Sequence, residues 1–167
     1  TLSPSKKIDI TVKGKAKILL HPKKQEMSDL ELKEYLKEQP FWQTTNKEIK
    51  KLAEELKTPY KIYEYIVNNL SYDFSRVESQ KPRAGAMEVL KNPTSAVCLE
   101  FTDLFITLAR AAGIAAREIN GFAYTQNEKE RPLSLVKDIL HAWPEYYDSD
   151  LQTWVMVDPT WGNTTGG

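Results

Sequence analysis

The segment from Cys98 to Ala112 constrains the fold more than any other part of this chain. Phe101, Leu104, Phe105, Leu108, Ala109 and Ala112 recur at helical spacing over a face too broad for a surface helix. The pattern predicts a helix buried on most sides. Gly113 is placed to end it as the C′ residue, where a left-handed backbone is cheap. Such a helix must be covered, and the flanking sequence supplies two kinds of cover.

Upstream the apolar residues keep helical spacing. Thr45-x-x-Glu48 has the form of a capping box and opens a helix with the stripe Ile49, Leu52, Ala53, Leu56. Thr58 and Pro59 suit the N-cap and first turn of the next, whose apolar face is Ile62, Tyr63, Ile66, Val67 and Leu70. Leu30, Leu32 and Leu36 mark a short helix, and 84–91 another, whereas the polar stretch from Ser71 to Arg83 predicts a loop. Asn92-Pro93-Thr94-Ser95 breaks the chain before the cysteine. Downstream the runs 114–123, 140–147 and 153–158 are extended, and a polar segment, 124–137, joins the first two. Helices followed by an antiparallel sheet give an α+β fold. Residues 8–20 partly alternate and read as one or two strands. The expected division is an N-terminal strand-containing extension over 1–40, suited to a neighbouring β domain, and a core over 41–167.

The charges balance, 23 basic against 23 acidic residues, which points away from nucleic acid and from an anionic membrane as partners. No apolar run is long enough to span a membrane. A single cysteine allows no internal disulfide. One Cys and two His, His21 and His141, lie in unrelated segments and make no closed ligand set, so neither metal nor cofactor is expected.

The lone cysteine stands where the buried helix begins. Unpaired N–H groups and the dipole there favour a thiolate. The same N–H groups can serve an oxyanion formed on an attacked carbonyl. Taken alone, Cys98 reads more readily as one more small apolar residue under a buried helix. A symmetric hairpin centred between Ser149 and Asp150 sets His141 directly across from Asp158, with Cβ atoms roughly 4.5–5.5 Å apart. Thiol, imidazole and carboxylate are the groups that acyl transfer through a thioester requires. Separately, a strand histidine is an ordinary structural residue and an Asp before Pro an ordinary turn former.

The residues around these three, taken in order, are Cys98-Leu99-Glu100-Phe101-Thr102-Asp103-Leu104-Phe105, Leu108-Ala109-Arg110-Ala111-Ala112-Gly113-Ile114-Ala115-Ala116-Arg117, Gly121-Phe122, His141-Ala142-Trp143-Pro144-Glu145 and Trp154-Val155-Met156-Val157-Asp158-Pro159-Thr160. Over roughly 42–162, with Tyr65 to Asp73 as lead-in, the chain resembles the transglutaminase-like superfamily of thiol enzymes, which share papain-like catalytic logic. The resemblance implies a cysteine-proteinase-like α+β core with the nucleophile helix packed on an antiparallel sheet. It implies Cys98 as nucleophile, His141 as general base and acid, and Asp158 as the orienting carboxylate. Trp143 and Trp161 become site walls, a plain core role for Trp143 being equally open, and Arg110 and Arg117 match positions that look structural, with Arg117 a supporting residue. Transglutaminases proper add a Trp donor to the oxyanion. No Trp lies between Trp42 and Cys98, and Tyr72 is the candidate replacement, a solvent-facing loop tyrosine being the plainer reading of it. Two departures stand out. Ser95-Ala96-Val97 replace the glycine usual near the cysteine, and the chain stops soon after the Asp block, as a piece of a longer protein would.

The implied activity is attack on an amide or peptide carbonyl of a protein or peptide substrate, with hydrolysis favoured. Protein-glutamine acyl transfer is the alternative, and a non-catalytic binding or structural module of a cell-surface protein the rival from another class. By the same resemblance the expected location is outside the cytoplasm.

Overall fold

The computed structural model describes residues 11, 13–15, 23–79, 81–123 and 139–165. The strand expectation for 8–20 falls mostly outside these residues, and the segment 124–137 wholly so.

The buried helix is α6 (Cys98–Ala111), and every residue from Glu100 to Arg110 is buried. It ends as its sequence dictates. Ala112 is the C-cap, Gly113 takes φ +81°, and the Gly113 and Ile114 N–H groups donate to the carbonyls of Arg110 (3.0 Å) and Ala109 (2.8 Å). That is a Schellman motif. Phe101, Leu104, Phe105 and Leu108 are wholly buried with Ile49, Ile62, Ile66 and Val89 from α2 (Lys47–Leu56), α3 (Pro59–Asn69) and α5 (Ala86–Lys91). Each such side chain stabilises the fold by about 1.5–3 kcal/mol.

Two helix starts differ from expectation. The N-cap of α2 is Asn46 rather than Thr45: Asn46 Oδ1 accepts from the Glu48 (2.8 Å) and Ile49 (3.4 Å) N–H groups. Thr45 instead donates its N–H (2.8 Å) and hydroxyl (2.7 Å) to Glu38. The second difference is α4 (Phe74–Ser79), a helix where a loop was expected. Asp73 starts it by accepting from the Ser75 N–H (3.0 Å) and hydroxyl (2.6 Å). Its anchor is Arg76, buried in an ion pair with Glu100, so no apolar stripe announces it. The α3 start is as expected: Thr58 Oγ1 accepts from the Lys61 N–H at 3.3 Å, and Pro59 opens the helix.

β1 (Ala116–Ala123), β2 (Ile139–Asp148) and β3 (Thr153–Met156) form an antiparallel sheet in the order β1-β2-β3. Gly121 lies opposite His141, and Arg117 opposite Glu145. Ala116 and Tyr146 join the core around α6. The β2–β3 register differs from the symmetric hairpin. Asp148 pairs with Thr153, so the loop takes four residues, with Gln152 left-handed at φ +52°. Asp148 Oδ1 closes the turn by accepting from the Asp150 (3.0 Å) and Leu151 (2.9 Å) N–H groups.

The last described element is a helix the sequence did not announce, α7 (Pro159–Thr165), which docks on α3. A Cβ on Gly162 would sit 2.0 Å from the Tyr63 hydroxyl, so only glycine permits the approach. Asn163 Nδ2 donates to the carbonyls of Val67 and Leu70, both at 2.9 Å. At the other end of the described chain, α1 (Asp29–Glu34) carries a Ser28/Glu31 capping box. Met27, Leu32, Tyr35 and Leu36 cover Tyr147 and Trp154 of the sheet. Among the described residues no helix is long and apolar enough to cross a membrane.

Candidate active site

Cys98 is the first residue of α6 and partly exposed. Its N-cap neighbour, Val97, has no side chain that can accept a hydrogen bond, so the first N–H groups of the helix are left uncapped from that position. The segment leading in is held by its neighbour 71–73. Ser71 N–H donates to the Pro93 carbonyl and Asp73 N–H to that of Ala96, both at 2.8 Å, with Tyr72 and Ala96 bridged as in a parallel sheet.

Tyr72 is thereby held near enough to Cys98 to feel its charge. Its ring stacks on Phe101 at 6.3 Å and tilts on Phe74 at 5.0 Å. Burial, reinforced by negative charge at Cys98 and Glu100, pushes the phenol well above the usual tyrosine range. It remains a hydrogen-bond donor at any working pH.

His141 comes from β2 and is 6% exposed. Its Nε2 lies 2.7 Å from Asp158 Oδ2, and the ring also hydrogen-bonds to Cys98. Burial works against a charged ring. The hydrogen bonds and charges of Asp158 and Cys98 outweigh it and push the imidazole up to about 9. Asp158 does not lie on β3, as the symmetric hairpin required, but just after it. The observed register carries the ladder on to the Val157 N–H, which donates to the Pro144 carbonyl at 3.1 Å, and the chain then turns into α7. Asp158 divides its oxygens: Oδ2 faces the imidazole, while Oδ1 accepts the Trp161 N–H at 2.9 Å and caps α7.

A pH dependence of stability follows from the imidazole. Its native value lies above the unfolded value of roughly 6.5. The stabilisation is therefore full below about 6.5 and is lost as pH rises through about 9. Calorimetry is expected to show the melting temperature falling over that window, with a smaller fall in Asp158→Asn. A flat profile would refute the assignment.

Two tryptophans flank the imidazole, Trp143 stacked at 5.8 Å and Trp161 edge-on at 6.4 Å. The Trp143 ring lies over Gly121, where a Cβ would meet it at 2.7 Å. Gly121→Ala is expected to cost about 1–3 kcal/mol by overpacking. It should also tilt Trp143 off His141, read as quenched or shifted tryptophan fluorescence together with a lower melting temperature.

Arg117 is not brought to this cluster. Its guanidinium is spent on Glu145 (2.8 and 2.7 Å) and over the Trp154 ring at 4.1 Å. Arg110 is likewise occupied, tying the Ala116 carbonyl (3.0 and 2.7 Å) and that of Lys37 (2.5 Å).

The sequence reading passed over two buried acids of α6. Glu100 accepts from the Arg76 guanidinium (3.2 Å) and the N–H groups of Ala84 (2.8 Å) and Val97 (3.1 Å). Asp103 accepts from Trp42 Nε1 (2.7 Å) and Arg83 Nε (2.9 Å), and Arg83 also pairs with Glu118. Two acids inside an otherwise buried helical stretch were the available signal, because a buried carboxylate demands a partner. Among the described residues no group of three or more His, Cys, Asp or Glu is arranged to hold a metal ion.

The sequence model of the transglutaminase-like superfamily matches residues 43–159. No curated protein sequence matches significantly. Among solved structures, a candidate cysteine protease from Cytophaga hutchinsonii superimposes with TM-score 0.63 at 25% identity, over 80% of this chain and 43% of that one. The periplasmic domain of TgpA from Pseudomonas aeruginosa superimposes with TM-score 0.54 at 22% identity, over 81% of this chain and 48% of that one. The same domain bound to ethylmercury gives TM-score 0.51 at 23% identity, over 78% and 48%. The chain thus spans less than half the length of these solved relatives.

Proposed function

This chain belongs to the transglutaminase-like superfamily, and on that premise we propose that it is a thiol hydrolase of amide or peptide bonds. The observation that carries the reading is one imidazole hydrogen-bonded to both Asp158 (2.7 Å) and Cys98, the latter at an uncapped helix start. A ring that keeps its proton to about pH 9 is the cation a thiolate needs beside it.

The sulfur attacks the carbonyl carbon, and the carbonyl electron pair moves onto oxygen. That oxyanion takes hydrogen bonds from N–H groups at the start of α6 and from the Tyr72 hydroxyl. Collapse breaks the C–N bond while His141 gives its proton to the leaving amine, producing a thioester on Cys98. His141 then takes a proton from water, hydroxide adds to the thioester, and the acid leaves as the thiolate reforms. Asp158 holds the ring throughout. Tyr72→Phe is expected to lower kcat by about 100-fold with KM little changed; an unaltered kcat would remove Tyr72 from the oxyanion site.

Water needs no binding pocket, whereas an amine acceptor must be held and water kept out. Segment 124–137 carries Glu128, Lys129, Glu130 and Arg131 and offers few aromatics for a dry amine channel, which favours hydrolysis. The periplasmic-domain relative supports a location outside the cytoplasm. The deciding experiment offers a peptide-amide library together with a labelled primary amine. Cys98-dependent free acid supports hydrolysis, predominant amine incorporation means acyl transfer, and neither product from folded protein leaves a binding module.

A further inference from the structure

We propose that the buried Arg76–Glu100 pair is a positioning device for the nucleophile: it fixes the Ser95–Val97 segment that presents Cys98 and balances a carboxylate charge beside the thiol. The proposal rests on the thiol-enzyme reading above.

The pair sits at a crossing of three segments. Arg76 donates to the Ser95 carbonyl (2.5 Å), to the Pro82 carbonyl (2.9 Å) and to Glu100 Oε1 (3.2 Å). Glu100 Oε1 also accepts the Ala84 N–H (2.8 Å), and Oε2 the Val97 N–H (3.1 Å). Both ends of the stretch that contains α5, 82–84 before it and 95–97 after it, therefore close on one ion pair. That closure lies where the chain enters α6. The Arg76 and Glu100 side chains are 6% and 0% exposed.

An apolar pair of equal volume would hold a fold as well, because desolvating two charges offsets most of their attraction. What an apolar pair cannot do is anchor the N–H of Val97, one residue before the nucleophile, or set the charge around the sulfur. Glu100 is electrically part of that site, since Tyr72 senses both Cys98 and Glu100. The titratable groups around the nucleophile are His141 from β2, which interacts with Cys98 and has Asp158 behind it, and Tyr72 from the lead-in segment, which feels both Cys98 and Glu100; Glu100 lies two residues along α6 from the thiol, with Arg76 of α4 as its counter-charge.

The test uses Glu100→Gln, Arg76→Met and the double variant. Iodoacetamide alkylation of Cys98 against pH is read beside kcat and KM on a peptide amide, with circular dichroism to confirm folding. Glu100→Gln leaves the arginine uncompensated, so the alkylation inflection is expected to move about one unit to lower pH. Arg76→Met leaves the carboxylate uncompensated and should move it about one unit to higher pH. The double variant should return it to the wild-type position. In all three kcat should fall about 10- to 100-fold with KM within about threefold, because the nucleophile is misplaced rather than the substrate. Should Arg76→Met fail to fold, Arg76→Lys serves: it keeps the charge but not the fork, so kcat falls while the inflection stays. Same-sign or absent shifts in folded variants, or unchanged kcat, would overturn the proposal. Alkylation needs no turnover, so that arm decides the pair independently. Amide hydrolysis that survives in Cys98→Ser would instead sink the thiol-enzyme reading.

Discussion

Cys98→Ser is expected to lower amide turnover by a factor of about 10⁴ to 10⁶ while leaving the fold intact, the size of loss seen when a nucleophile acting within a unit is removed. The structure explains why the two effects separate. The side chain is partly exposed at the first position of α6 and fills no core space. Serine is well tolerated at a helix start. On the proposed reading, what disappears is the sulfur nucleophile, since an alcohol in that place is a far weaker one. Melting temperature, turnover and mass-spectrometric detection of an acyl-enzyme are the three measurements. Unchanged turnover with no adduct on residue 98 would place the chemistry elsewhere.

Asp158→Asn comes second, with an expected loss in kcat of about 10² to 10⁴. The carboxylate serves two partners, and asparagine separates them. Its amide oxygen can still accept the Trp161 N–H now held by Oδ1 at 2.9 Å, so α7 keeps its cap. Toward the ring it presents an N–H₂ or a neutral oxygen, which either selects the wrong tautomer or no longer supports the charged imidazole. Burial, opposed at present by Asp158 and Cys98, then brings the ring down from about 9, and the alkaline limb of the pH–rate profile, where the ring loses the proton it must donate, should move to lower pH with it. Asp158→Ala removes the cap as well, and is expected to melt lower than the Asn variant by about 1 kcal/mol of stability. Equal melting of the two variants would show that Oδ1 contributes nothing to α7.

The central helix was legible because both of its signals are local. A broad apolar face and a glycine at C′ are written within one short segment, and α6 with its Schellman end follows. The family resemblance rested on blocks whose order the chain preserves, and the α+β architecture is as it implied. The β2–β3 register was not legible, because it depends on how the tetrapeptide Ser149-Asp150-Leu151-Gln152 closes. Asp148 accepts two N–H groups, Gln152 turns left-handed, and the pairing moves to Asp148–Thr153. His141 and Asp158 still meet, but by a turn into α7 rather than by direct cross-strand opposition. The helix α4 was missed because its anchor is a salt bridge 24 positions away in sequence. The N-cap of α2 was missed by one residue because Thr45 had a better partner in Glu38, and no local pattern carries such non-local competition.

The docking of α7 on α3 bears on when the proposed site can first be complete. The thiol is in place once α6 has formed, yet the carboxylate that holds the imidazole stands at the mouth of a helix clamped by Gly162 against Tyr63 and by Asn163 across 96 and 93 positions of chain. Contacts between residues so far apart in sequence are late events in folding. On the proposed reading, a chain emerging from the ribosome would carry the sulfur of Cys98 before the carboxylate of Asp158 has been made, and the site would be complete only when α7 closes on α3.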